Sequence, residues 1–189
     1  LPLLAPATGW AQVEEIIVST RKREESLQDV PIAINAITAE DLERKGLNSI
    51  ADITKGLSSV EFDEGAAKSD TRITIRGLAP TRGRQNVAVL VDGIDVSTEA
   101  ISNSGGGVLL NTRLVDIERL EVVKGPQMAR YGRSAFAGAI EYITKDPSDV
   151  FESTFSLDAN AEEQYSATMG LSGPVLGDKL GLRFNGAWW

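Results

Sequence analysis

Residues 117–145 read IERLEVVKGPQMARYGRSAFAGAIEYITK, and the order of signals along them decides the fold. Along them stand, in order, Gly125-Pro126, Tyr131-Gly132 and Ile143-Thr144. Upstream, Arg72-Ile73-Thr74-Ile75-Arg76 alternates polar with apolar residues as a half-buried strand does, and Val87 to Val91 is continuously apolar, as in a strand covered on both faces. Asp92-Gly93 follows directly. This pair favours a two-residue hairpin returning through Ile94-Asp95-Val96, and a turn explains Asp92 and Asp95 better than a metal site.

Further upstream, Thr38 can cap a helix with Glu40 and Asp41 at its positive end and Gly46 as its stop. Ser49 opens a second short helix that puts Ile50, Ile53 and Leu57 on one face and ends at Gly56. Two polar loops interrupt the strands. Residues 77–86 carry Arg82, Arg84 and Gln85; residues 97–107 carry Ser102, Asn103, Ser104 and three glycines with no following Lys-Ser/Thr, so they are not a phosphate loop.

The chain of 189 residues is 42% hydrophobic, enough for a core, and contains neither Cys nor His. Thiol nucleophiles, disulfides, imidazole bases and the usual zinc or haem ligands are thereby removed together. No catalytic spacing stands out, so an enzyme, a cofactor and a metal site are not expected. A formal net charge of -8 argues against binding nucleic acid, which needs a basic surface to displace counterions. No apolar run is long enough for a spanning helix, so any membrane role must come through a barrel.

At the N-terminus, LPLLAPATGWAQ resembles the tail of a secretory signal, with Gly9 and Ala11 fitting small-x-small cleavage before Gln12. Glu14-Glu15-Ile16-Ile17-Val18-Ser19 is a β-branched segment ahead of the charged run Arg21-Lys22-Arg23-Glu24-Glu25. It reads either as a first strand of the domain or as a strand that adds to another protein's sheet edge. At the other end, Asp146-Pro147-Ser148-Asp149 is a linker, and the pattern then changes to three period-2 segments. Phe151, Phe155, Leu157 and Ala159, then Tyr165, Ala167, Met169 and Leu171, then Leu180, Leu182, Phe184 and Trp188 alternate with polar residues. Turns are expected at Glu162-Glu163 and over residues 173–178. Lipid-out, lumen-in barrel strands have this pattern, and so does a soluble sandwich; Trp188-Trp189 suits an interfacial girdle or a core. Three strands do not close a barrel, which needs about eight at least and about twenty-two in large transporters.

Together these pieces resemble the TonB-dependent outer-membrane receptors. The EEIIVS box, Asp29-Val30-Pro31, Ile75-Arg76-Gly77, Val91-Asp92-Gly93, Gly125-Pro126, Tyr131-Gly132 and Ile143-Thr144 stand in that family's order, from about Glu14 onward, and for residues 117–145 the resemblance implies a short helix, a strand, a Gly-Pro turn, a Tyr-Gly loop and a closing strand in succession. The chain departs from the pattern at three places: Gly138-Ala139 replaces the usual Gly-Gly, Glu141 the usual Asn, and Lys124 the usual Arg. The resemblance implies an α+β plug domain, a small mixed sheet with short helices, followed by the first antiparallel strands of an incomplete transmembrane β-barrel. The expected division is 1–11 signal remnant, 12–26 coupling box and linker, 27–146 plug and 147–189 barrel strands.

It also implies TonB-driven import of a scarce nutrient, a ferric siderophore before cobalamin, nickel chelates or oligosaccharides, with no enzyme activity. The partners would be the C-terminal domain of TonB, outer-membrane lipid and a small-molecule or metal-chelate substrate. Glu14, Glu15, Ile16, Ile17, Val18 and Ser19 would contact TonB; Arg82, Arg84, Gln85, Ser102, Asn103 and Ser104 would face substrate. Arg76 and Lys124 would pair with barrel carboxylates, Arg76 bidentately and Lys124 as a point charge. The alternative is a free periplasmic plug-like module that captures a ligand without a barrel.

Overall fold

The computed structural model describes residues 17–18, 25–26, 28, 32–47, 49–64, 71–80, 85–97, 115–159, 165–177 and 179–188. In chain order the elements are β1 (Ile17–Val18), β2 (Glu25–Ser26), β3 (Ile34–Thr38), α1 (Ala39–Lys45), α2 (Ile50–Lys55), β4 (Val60–Glu64) and β5 (Thr71–Ile75). There follow β6 (Val87–Val91), β7 (Ile94–Asp95), β8 (Ile117–Lys124), α3 (Met128–Tyr131), β9 (Gly138–Thr144), β10 (Glu152–Ala159), β11 (Tyr165–Pro174) and β12 (Gly181–Trp188).

Both longer helices begin and end where their caps dictate. The Thr38 hydroxyl accepts the Asp41 N–H at 3.3 Å, and Gly46 closes α1 in the left-handed region at φ 64°. Ser49 caps α2 in the same way, accepting from the Asp52 N–H at 3.2 Å, and the helix buries Ile50 and Ile53. These faces lie on a five-stranded mixed sheet of order β3-β8-β9-β6-β7, in which only β6 and β9 run parallel.

Apolar β6 is covered on both sides, as its composition requires. Val87 and Val89 join Leu42, Ile53, Ile73, Ile75, Leu120 and Ile140 on one face; Ala88 and Leu90 join Val123, Tyr131, Ala135 and Ala139 on the other. Strands β8 and β9 approach closely at Gly138, where a Cβ would lie 2.3 Å from the Val123 carbonyl oxygen and 2.8 Å from Ile75 Cδ1. Only glycine fits there. The turn after β6 is the expected one, with Asp92 and Gly93 at φ 48° and 79°. The Asp92 carboxylate ties the turn to the end of β9, accepting from the Thr144 N–H at 2.9 Å and the Thr144 hydroxyl at 2.8 Å, while Asp95 accepts locally from the Ser97 N–H at 2.8 Å.

Two details differ from expectation. Strand β8 begins at Ile117 with no helical residue ahead of it in this stretch, and the helix of residues 117–145 is α3, after the Gly125-Pro126 turn. The reason is pairing on both sides: β8 lies between β3 and β9, and a chain so held must stay extended. Strand β11 runs through Gly173 to Pro174, so its turn falls at residues 175–180, closed by the Val175 N–H on the Leu180 carbonyl at 2.7 Å.

Strands β10, β11 and β12 form an antiparallel meander, open among the described residues. Its register aligns Phe155 with Met169 and Gly186, and Leu157 with Ala167 and Trp188, giving one apolar face. Thr154, Ser156, Thr168, Ser172, Arg183 and Asn185 lie on the opposite, polar face. Phe155 and Leu157 are each 71% exposed and Trp188 69%, so nothing among the described residues covers this face.

Candidate functional site

Of the expected coupling segment, Ile17 and Val18 are described; Glu14, Glu15, Ile16 and Ser19 lie outside the described residues. The two form a short ladder with β2, Ile17 opposite Ser26 and Val18 opposite Glu25. Ile17 is exposed and Val18 is buried. A ladder of two register pairs is a short one, with few hydrogen bonds to hold it.

Arg82, Arg84, Ser102, Asn103 and Ser104 also lie outside the described residues. Gln85 does not behave as an open loop residue. It is 7% exposed, just ahead of β6, and its side-chain Nε2 is buried without a hydrogen-bond partner among the described residues. Its neighbour Asn86 is fixed instead, donating to the Ala79 carbonyl at 2.6 Å.

Arg76 and Lys124 are brought together. Arg76 sits at φ 54° after β5, its backbone N–H bonded to the Ser59 carbonyl at 2.8 Å, and its guanidinium lies 3.3 Å from where a Cβ on Gly125 would be. Lys124 Nζ donates to the Ser58 carbonyl at 2.7 Å. Gly125, at φ 114°, is favoured at this crossing by its backbone angle, while the flexible Arg76 guanidinium would have to give by only a few tenths of an ångström to admit a Cβ.

Two ionic groupings escaped the sequence reading. Inside the sheet, Glu121 and Glu141 stand opposite each other on β8 and β9, 0% and 7% exposed. Arg119 Nε donates to Glu121 at 2.9 Å, and the Tyr131 hydroxyl to Glu141 at 3.3 Å. Burial first, and the neighbouring Glu121 charge second, push the Glu141 carboxyl above the usual range against the opposing effects of Tyr131, Arg130 and Arg119. The Tyr131 hydroxyl is pushed up too, by burial and then by Glu141. The sequence did contain a signal, a glutamate in the middle of each of two apolar strands.

The second grouping crosses from the plug sheet to the meander. The Arg183 fork grips Asp116, Nε at 2.7 Å and Nη2 at 2.5 Å, and Asn185 Nδ2 donates to the same carboxylate. The partners are 67 residues apart, so no local pattern announces the pair. The one hint was an arginine on the polar side of an alternating strand.

The comparisons with known proteins agree with this architecture. A family model described as the TonB-dependent receptor plug domain matches residues 26–139. The ferric enterobactin receptor PirA of Pseudomonas aeruginosa is 30% identical over 180 residues, 86% of this chain and 23% of that protein. The vitamin B12 transporter BtuB of Vibrio vulnificus is 30% identical over 156 residues, 82% of this chain and 24% of its own length. Among solved structures, P. aeruginosa FpvA bound to heterologous pyoverdines superposes with a TM-score of 0.72 at 19% identity, over 90% of this chain and 22% of that one. The ferric yersiniabactin uptake receptor FyuA of Yersinia pestis gives 0.66 at 21% identity, over 77% and 22%. These structural likenesses establish the fold, and this chain spans about a quarter of the curated relatives' length. With the plug model matching well over half of its residues, the chain belongs to the TonB-dependent receptor plug domain family, whose place is the outer membrane.

Proposed function

We propose that this chain supplies the plug, the coupling segment and the first wall strands of a receptor importing a scarce nutrient across the outer membrane, driven through TonB. The observation that carries this is the union of two parts: a plug sheet tied by Asp116 to the polar face of a meander whose other face exposes Phe155, Leu157, Leu182, Phe184 and Trp188. A free periplasmic module would have to hide that face from water, and lipid covers it at no such cost. The division into residues 12–26, 27–146 and 147–189 belongs to this reading.

The substrate we favour is a ferric siderophore, because PirA is named as a ferric enterobactin receptor and FyuA as a ferric yersiniabactin uptake receptor. BtuB, named as a vitamin B12 transporter, keeps cobalamin as the second candidate. Arg82, Arg84, Ser102, Asn103 and Ser104 would meet the substrate, with Gln85 supporting their loop from below. TonB would pair with residues 14–19 along the backbone, and Arg76 and Lys124 would face carboxylates of the closed wall. For any such pairing that enlists Val18, the two-pair ladder to β2 would open, since Val18 is buried.

The test is uptake of iron-55 chelates and, in parallel, of cobalt-57 cobalamin by cells carrying the receptor, with and without TonB. Uptake of at least one catecholate or other siderophore that vanishes without TonB is the expected result. Equal uptake in both strains would overturn the coupling, and uptake of cobalamin alone would replace the substrate.

A further inference from the structure

The contact between Asp116 and Arg183 is built more firmly than a linker crossing needs. Asp116 precedes β8 with φ 60°, a left-handed value that aspartate tolerates better than most residues. There its carboxylate meets the Arg183 fork through two oxygens, with side chains only 15% and 17% exposed, and Asn185, two residues along β12 on the same face, adds a third donor. The same residues hold the linker: Arg183 Nη1 donates to the Asp146 carbonyl at 3.3 Å, and the Lys145 N–H to the Asp116 carbonyl at 3.1 Å. Beyond it, the Ser148 N–H reaches the Ser172 hydroxyl at 2.8 Å. Arg76 and Lys124, the cations singled out by the family pattern, take no part.

We infer that Asp116, Arg183 and Asn185 are positioning residues, a latch that fixes the N-terminal end of β8 to the lumenal face of β12 with the carboxylate on the plug and the cation on the wall. The place of the latch matters. Strand β8 pairs with β3 from Ile34–Val123 to Thr38–Arg119, and β3 is the plug strand next along the chain from the coupling segment. Ile34, where traction from the N-terminus enters, lies at the opposite end of that ladder from Asp116. Load along the strands is therefore carried by the five register pairs between β3 and β8, and the sheet behind them stays with the wall.

This rests on reading the chain as plug and first wall strands of a receptor, but its test needs neither TonB nor substrate. In a TonB-deleted strain, the receptor carries Val123→Cys as its only cysteine, a buried site on β8, and reaction with a maleimide is followed in outer-membrane preparations across a urea series. Asp116→Asn, which keeps the left-handed preference, and Arg183→Gln are each expected to raise the equilibrium exposure of that cysteine on the order of tenfold. The double variant is expected to match the singles, because either change already cuts the fork. Entry of vancomycin, normally excluded, should rise in the same variants. If Asp116→Asn does not assemble, Arg183→Lys, which keeps the charge and loses the fork, carries the test with an intermediate loss expected. Effects that multiply in the double variant, or wild-type exposure in Arg183→Gln and Arg183→Lys, would overturn the latch and leave the transport reading standing. Loss of TonB-dependent uptake without these signatures would count against the latch and not against transport.

Discussion

Single atoms decide two features of the plug sheet. At Gly138 a methyl group would press on the Val123 carbonyl oxygen and on Ile75, both buried and neither free to move without shifting a strand. Gly138→Ala is therefore expected to destabilise the plug by about 1–3 kcal/mol or more, read from a urea midpoint, and a midpoint equal to wild type would mean that β8 and β9 can separate cheaply. Glu141 acts through its charge. Its carboxyl is held above the ordinary range, so the stability it contributes is fully present below that ordinary value and is lost as pH rises through the elevated one. Glu141→Gln keeps an oxygen for the Tyr131 hydroxyl and cannot ionise. Its urea midpoint should match wild type near pH 4 and exceed it increasingly toward pH 8. A difference that does not change with pH would show that Arg119 and Arg130 neutralise the charge completely. Glu141→Asn, restoring the family's usual residue, should behave likewise, with a small loss from the shorter reach to Tyr131.

Elements whose signals are local were legible in the sequence, and elements defined by partners were not. Thr38, Gly46, Ser49 and the Asp92-Gly93 turn act within four residues of themselves, and each is where its chemistry called for it. The order β3-β8-β9-β6-β7 joins residues as far apart as Ile34 and Val123, and α3 is a single turn without a side-chain cap; neither leaves a periodic trace. The same holds for the site. Arg76 and Lys124 were singled out by motif, but their approach at Gly125 and the use of Lys124 on Ser58 depend on the crossing of β5 and β8 ends. The coupling strand is tested at this scale. Ile17→Pro removes a backbone N–H and fixes φ, so TonB-dependent uptake should be abolished, whereas Ile17→Val should stay within about 0.5 kcal/mol of wild type. Binding of substrate to the cell surface should survive Ile17→Pro. Uptake at the wild-type rate in the proline variant would make β1 a plug strand with no coupling role.

At the scale of the molecule, the plug half closes its own core and the meander does not. Leu42, Ile53, Val60, Ile73, Ile75, Val87, Leu120 and Ile140 meet inside the first half, and none of them needs a residue beyond Thr144. The meander presents Phe155, Leu157, Tyr165, Met169, Leu182, Phe184 and Trp188 outward, all at least half exposed, on a sheet with open edges among the described residues. Such a surface associates in water, by its apolar face and by strand pairing at its edges. Removing everything after Asp146 costs the plug the Arg183 and Asn185 contacts to Asp116, but the same cut removes the strands that those contacts tie it to and leaves Asp116 free to hydrate, so the apolar area removed decides the association state. The 1–146 chain should run as a monomer in size-exclusion chromatography and resist proteolysis within β5 and β6, whereas the 189-residue chain should aggregate unless detergent covers the meander. A 189-residue chain that is monomeric without detergent and gains nothing from truncation would mean that the apolar face folds back on the plug, and the free periplasmic module would then displace the receptor reading.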